Sequence, residues 1–85
     1  MDIKEIEAKL LPIITEYLPD EVSKEDVTPE KDLLKDLQIN SAYIIDIVIA
    51  IEEEFDIVIE DDAIAEMNTV QESIDMIIEK IKQNG

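Results

Sequence analysis

Asn40-Ser41-Ala42-Tyr43-Ile44-Ile45-Asp46-Ile47-Val48-Ile49-Ala50-Ile51-Glu52-Glu53-Glu54-Phe55 admits two readings, and the choice between them decides the fold. By propensity, Ile47-Val48-Ile49 and the later Ile57-Val58-Ile59 are β-branched runs that suit the two strands of a hairpin. The connection between them argues otherwise, because Glu52-Glu53-Glu54 supplies none of the Gly, Asn, Asp or Pro that hairpin turns require. Helical phasing is consistent throughout. Ile44, Ile47, Val48, Ile51 and Phe55 fall at i, i+3, i+4, i+7 and i+11, a single apolar stripe, and Asn40 is a good N-cap. The stretch is therefore expected to be a helix starting after Asn40.

The flanking sequence fits the same scheme. Upstream, Ile3, Ile6, Leu10, Ile13, Ile14 and Tyr17 recur at helical spacing and predict an amphipathic helix ending near Leu18-Pro19. Pro12 lies inside it, removes one hydrogen bond and crowds the Ala8 carbonyl, which predicts a kink or two pieces meeting at Leu11-Pro12. Residues 19–38 are polar with isolated anchors at Val22, Val27, Leu33, Leu34 and Leu37, the pattern of a long loop pinned to a core. Within it, Thr28-Pro29-Glu30 has the order of a helix start. Downstream, Asp61 or Asp62 is expected to cap a short third helix running to about Met67, with Ile64 inward. Thr69 and Glu72 then form a capping box for a last helix with Val70, Ile74, Ile77, Ile78 and Ile81 on its apolar face. Lys80 and Lys82 complement its C-terminal dipole. The expectation is all-α: a small four-helix bundle in one domain, residues 1–85, with a long first loop and a short third helix.

Composition removes whole classes of function. The chain has 85 residues, no cysteine and no histidine, which leaves no disulfide, thiolate metal site or Ser-His-Asp arrangement and fits a cytoplasmic protein. Its one glycine is Gly85, so neither a phosphate-cradling glycine loop nor a calcium loop is available. The longest apolar region, 42–51, is interrupted by Asp46, and the first residues are not a basic stretch leading into an apolar run, so neither a membrane span nor a signal peptide is expected. The net charge of -16 repels phosphate backbones and anionic lipid, so nucleic acid and membrane are not expected partners; basic proteins are. All seven cationic residues are lysines, and none lies between Asp36 and Glu79, a stretch with 13 acids. Such acids ordinarily form a solvated face that keeps a small protein soluble; their clustering here points to more than solubility.

Once the core stripe is assigned, about 100° per residue brings Ser41, Ala42, Ile45, Asp46, Ile49, Glu52, Glu53 and Asp56 to another face. Two isoleucines ringed by acids either widen the core contact or form a docking face, where charge steers encounter and apolar contact sets residence. Ser41 stands in the first turn, where a serine is ordinarily a cap but where free backbone N–H groups also favour a phosphate.

Lys35-Asp36-Leu37-Gln38-Ile39-Asn40-Ser41-Ala42, followed by Ile47-Val48-Ile49-Ala50-Ile51-Glu52-Glu53-Glu54-Phe55-Asp56 and Thr69-Val70-Gln71, resembles the acyl carrier protein family over the whole chain. The resemblance implies that Ser41 receives 4′-phosphopantetheine from coenzyme A through a magnesium-dependent phosphopantetheinyl transferase, flanked by Asn40 and Ala42. It implies that the arm's thiol bears the cargo and that the protein is not itself an enzyme. It also implies that Ile45, Asp46, Ile49, Glu52, Glu53 and Asp56 dock basic-surfaced acyl-transfer, condensing or ligase enzymes, with the carrier a monomer. The chain departs from the family pattern at Asn40-Ser41-Ala42, where Asp-Ser-Leu is usual, at Gln38, where glycine is usual, and at Tyr43, where polar residues are common. A lost aspartate removes a charge that a transferase cation could bind, worth about 1 to 3 kcal/mol if buried. The implied function is carriage of acyl intermediates in fatty-acid, lipid or polyketide-type synthesis. Two alternatives share the fold: an aminoacyl carrier of the D-alanyl type, and an unmodified acidic interaction module, which Asn40 and Ala42 would favour. Ser41 as a direct catalytic nucleophile lacks any candidate base.

Overall fold

A computed structural model describes residues 2–84. Among them are four α-helices, α1 (Ile3–Glu16), α2 (Ile44–Phe55), α3 (Asp61–Ile64) and α4 (Val70–Asn84), with 3₁₀ turns at Lys24–Asp26 and Ser41–Tyr43. Among the described residues there is no strand, and the hairpin reading of 47–59 is excluded; one isolated antiparallel bridge joins Asp32 and Thr69. Both α2 and α4 pack against α1.

The core follows the apolar stripes. Ile6, Leu10 and Ile14 of α1, Ile47, Val48, Ile51 and Phe55 of α2, and Val70, Ile74 and Ile77 of α4 are buried together. At about 1.5 to 3 kcal/mol for each fully buried aliphatic side chain, this cluster dominates the favourable side of folding. Ile44, Ile78 and Ile81 pack on its margin. Ile3 does not join it and stays half exposed. The extended segment after α2 alternates in the same sense: Ile57 and Ile59 are buried while Val58 faces water.

Several expectations are corrected. Helix α1 runs as one element through Pro12 to Glu16, with Tyr17 as its C-cap, so it is not two pieces meeting at Leu11-Pro12. Ala8 and Pro12 are both exposed, so the carbonyl that loses its partner is on the solvent side, and the helix need not break. Thr28-Pro29-Glu30 starts no helix. It forms a turn closed by the Lys31 N–H on the Thr28 carbonyl (3.1 Å), and the Thr28 hydroxyl is held by the Glu30 carboxylate (2.9 Å). The helical piece of this loop lies earlier, at Lys24–Asp26, where Ser23 and Asp26 bond reciprocally. Helix α3 is capped by neither Asp61 nor Asp62. Glu60 is its N-cap, without a side-chain bond, and the helix ends at Ile64. Met67 is buried just beyond it. Lys80 is occupied by Glu60 (3.5 Å), leaving Lys82 as the basic residue in the last turn of α4.

The capping box of α4 forms as expected. The Thr69 hydroxyl accepts from the Glu72 N–H (3.0 Å), and the Glu72 carboxylate accepts from the Thr69 N–H (2.9 Å). The long loop is tied to this helix start by main chain: Leu33 N–H to Asn68 O (2.8 Å), Val70 N–H to Lys31 O (3.0 Å) and Gln71 N–H to Pro29 O (2.9 Å). Val27, Leu33 and Leu37 are its buried pins, with Val22 partly buried, whereas Leu34 is exposed.

Candidate functional site

The approach to Ser41 is built by two aspartates. The Asp32 carboxylate accepts from the N–H groups of Leu34 and Lys35 (2.9 Å each), and the Asp36 carboxylate returns to the Asp32 N–H (2.8 Å). This is the carboxylate version of a capping box, wrapped around one turn whose Leu33 and Leu37 point inward. The chain must then reverse, and Gln38 does so at φ 58, in the left-handed region that favours glycine. Ile39 is buried next, which fixes where Asn40 and Ser41 emerge.

Asn40 closes the turn. Its Oδ1 accepts from the Ala42 N–H (2.9 Å) and its carbonyl from the Tyr43 N–H (2.8 Å), while the Ile44 N–H donates to the Ser41 carbonyl. Two corrections follow. The α-helix proper begins at Ile44, with Ser41–Tyr43 forming a 3₁₀ turn ahead of it. The N–H groups of Ala42 and Tyr43 are already engaged and cannot cradle a phosphate. What remains is an exposed Ser41 side chain, with no hydrogen bond to its hydroxyl among the described residues, on a turn clamped by its neighbour. A phosphopantetheine group fits there as a covalent substituent on an accessible oxygen, not as a bound anion.

Beyond the turn, Ile45 (52% exposed) and Ile49 (46%) stand outside the core, so they do not widen its contact. Ala42, Asp46 and Glu53 are exposed beside them. Glu52 differs from the sequence expectation. It is half buried, and its carboxylate accepts from the Ile59 N–H (2.8 Å), which ties the segment after α2 back onto the helix. Asp56 is exposed but lies past the last helical residue, in the left-handed conformation (φ 54, ψ 51), so the helical phasing that grouped it with Ile45 does not reach it.

Sequence reasoning missed Tyr17. Its ring meets that of Tyr43 at 5.5 Å between centroids with a 41° tilt, joining the C-terminus of α1 to the turn that carries Ser41. Partial burial raises the Tyr17 phenol above its ordinary pKa, and the carboxylates of Glu16 and Asp46 push the same way. No spacing in the chain announces this pair, which depends on how α1 packs.

A family model described as "Phosphopantetheine attachment site" matches residues 8–77. The acyl carrier protein of Picosynechococcus sp. is 38% identical over 81 residues, covering 95% of this chain and 98% of its own. This chain belongs to the acyl carrier protein family. The acyl carrier proteins of Buchnera aphidicola (41% over 78 residues; 92% of this chain and 96% of its own) and of Desulforapulum autotrophicum (41% over 75 residues; 88% and 96%) are similarly close. Acyl carrier proteins are carriers, not enzymes, and their prosthetic group is covalent 4′-phosphopantetheine, which supplies a flexible thiol for thioester chemistry.

Proposed function

We propose that Ser41 is the residue that bears the 4′-phosphopantetheine, and that the protein is a carrier of acyl intermediates for fatty-acid, lipid or polyketide-type synthesis. The observation that carries this reading is the accessible, unengaged Ser41 hydroxyl at the head of an exposed Ile45/Ile49 face edged by Asp46 and Glu53. Asn40 and Ala42 serve as the flanks of the attachment site. Asn40 keeps the capping geometry that an aspartate would give, because both side chains present an oxygen to the N–H two residues on. What it lacks is the charge, so a transferase meets a less negative approach.

Docking is assigned to Ile45, Ile49, Asp46 and Glu53, with Glu52 and Asp56 adding negative charge at the far end. The fitting partners are the phosphopantetheinyl transferase and basic-surfaced acyl-transfer, condensing or ligase enzymes, drawn by the -16 net charge and held by brief apolar contact. A cytoplasmic monomer suits this role, and no helix among the described residues is long and apolar enough to cross a membrane.

The test is intact mass after incubation of the purified protein with coenzyme A, magnesium and a broad-specificity transferase. Wild type gains one phosphopantetheine and Ser41→Ala gains none. An unchanged wild-type mass with several transferases favours the unmodified interaction module; transfer of an amino acid but not an acyl group onto the arm favours the aminoacyl carrier.

A further inference from the structure

An open groove of about 520 Å³ lies between the end of α1 and the attachment turn, walled by Tyr17, Leu18, Pro19, Gln38, Asn40 and Tyr43 with Glu16 at its lip. We infer that this groove is the resting berth of the protein's own pantetheine arm, which lies against the Tyr17–Tyr43 pair when no partner is docked. The inference rests on Ser41 being the attachment residue.

Reach, chemistry and tethering support it. Asn40 is the residue next to Ser41, so the wall begins about 3.8 Å along the chain from the attachment point. Beyond its phosphate the arm is uncharged, an alternation of methylene units and amides with a geminal dimethyl group. The groove matches that alternation with the rings of Tyr17 and Tyr43 and the apolar surfaces of Leu18 and Pro19, together with the carboxamides of Gln38 and Asn40. The Asn40 Oδ1 is engaged with the Ala42 N–H, which fixes its amide and leaves the NH₂ as the group available to donate. A tether raises the arm's effective concentration to the order of mM, so even a contact of mM intrinsic affinity is about half occupied.

Another groove, about 570 Å³ between α3 and α4, has Ala63 and Met76 in its wall, but six carboxylates from Glu60 to Glu79 crowd it, and its one lysine, Lys80, is already paired with Glu60. An arm lying there would strip water from carboxylates and offer them no compensating cation. The apolar cleft around Leu10, Leu11, Val27 and Val70 holds only about 30 Å³, too little for the arm. Two of the chain's three aromatic side chains meet beside the attachment turn, and Tyr43 is 46% exposed there, a large apolar surface that the fold itself leaves uncovered.

The test uses the full chain, isotope-labelled, with an unlabelled arm added by a transferase and loading verified by intact mass. Expected in the loaded protein are shifts of the Tyr17 and Tyr43 ring resonances, an unmoved Phe55 ring, and filtered cross-peaks from both tyrosine rings to the geminal methyls. Loss of the Tyr17 cross-peaks in Tyr43→Ala, with helicity unchanged by circular dichroism, supports a shared berth. Should Tyr43→Ala not fold, the wild-type spectra decide alone. Confirmed loading with unmoved tyrosine rings, or with cross-peaks to Ala63 and Met76 instead, overturns the berth and leaves the carrier reading intact; failure to load overturns both.

Discussion

Replacing Gln38 with glycine is expected to stabilise the protein. Gln38 sits at φ 58, is exposed, and its carboxamide makes no hydrogen bond among the described residues, so the side chain brings a Cβ into the left-handed region with little in return. That Cβ costs about 1 to 2 kcal/mol. Glycine removes the clash but loses more freedom on folding, which takes back about 0.5 to 1 kcal/mol. The net gain is about 0.5 to 1 kcal/mol. With about 2.1 cal/mol/K of unfolding entropy per residue, 85 residues give about 0.18 kcal/mol/K, so Tm rises by about 3 to 6 °C. The assay is thermal unfolding followed by circular dichroism at one fixed salt concentration, comparing wild type, Gln38→Gly and Gln38→Ala. Alanine keeps the Cβ and should give no comparable rise. A Gln38→Gly protein that melts no higher than Gln38→Ala would show that the left-handed turn carries no strain worth relieving.

The remaining expectations concern charge. Glu52→Ala should cost about 1 to 3 kcal/mol, because it strands the Ile59 N–H, whereas Glu53→Ala removes the same charge from an exposed site and should stay within about 0.5 kcal/mol in denaturant titrations. Equal losses would mean that the Ile59 tie is not formed in solution. Moderate salt or millimolar magnesium should raise Tm by screening the 13 acids between Asp36 and Glu79, and a Tm indifferent to both would contradict a crowded acidic surface. The Tyr17 pKa is raised in the folded state, so the unfolded chain gives up its proton first and stability falls as pH climbs from about 10 through the folded value. Absorbance titration of Tyr43→Phe isolates this phenol, and a midpoint at or below that of a free tyrosine would refute the placement of Glu16 and Asp46 around it.

Where local pattern determines structure, the sequence was legible. The α2 stripe, the Thr69/Glu72 capping box and the buried faces of α1 and α4 are all encoded within about three helical turns of chain. Ile3 satisfied the helical template and Leu34 was read as a loop anchor, yet both face water, because neither spacing nor hydrophobicity says whether a neighbour arrives to cover a side chain. At Pro12 the helix does not divide into two pieces: the proline's penalty is ordinary, but exposure of Ala8 removes the reason to break. At the site, the exposed isoleucines could be placed by phasing, and Ser41 by its position directly after the capping residue Asn40. The engagement of the Ala42 and Tyr43 N–H groups, the Asp32/Asp36 clasp, the structural duty of Glu52 and the Tyr17–Tyr43 contact could not, since each depends on turn geometry or on partners distant in the chain.

The main-chain bonds that join residues 29–33 to 68–71 make everything between them a closed ring, anchored at both ends of its span. Ser41, α2 and α3 all hang on that ring, but unequally: α2 buries four residues, whereas α3 buries none and lacks a side-chain cap. Local opening is therefore expected at α3, the weakest arc, before it reaches the anchorage. A yielding sector and a steady one are expected to show as faster amide exchange at residues 61–64 than at 47–51, and equal rates would mean that the ring opens as a whole.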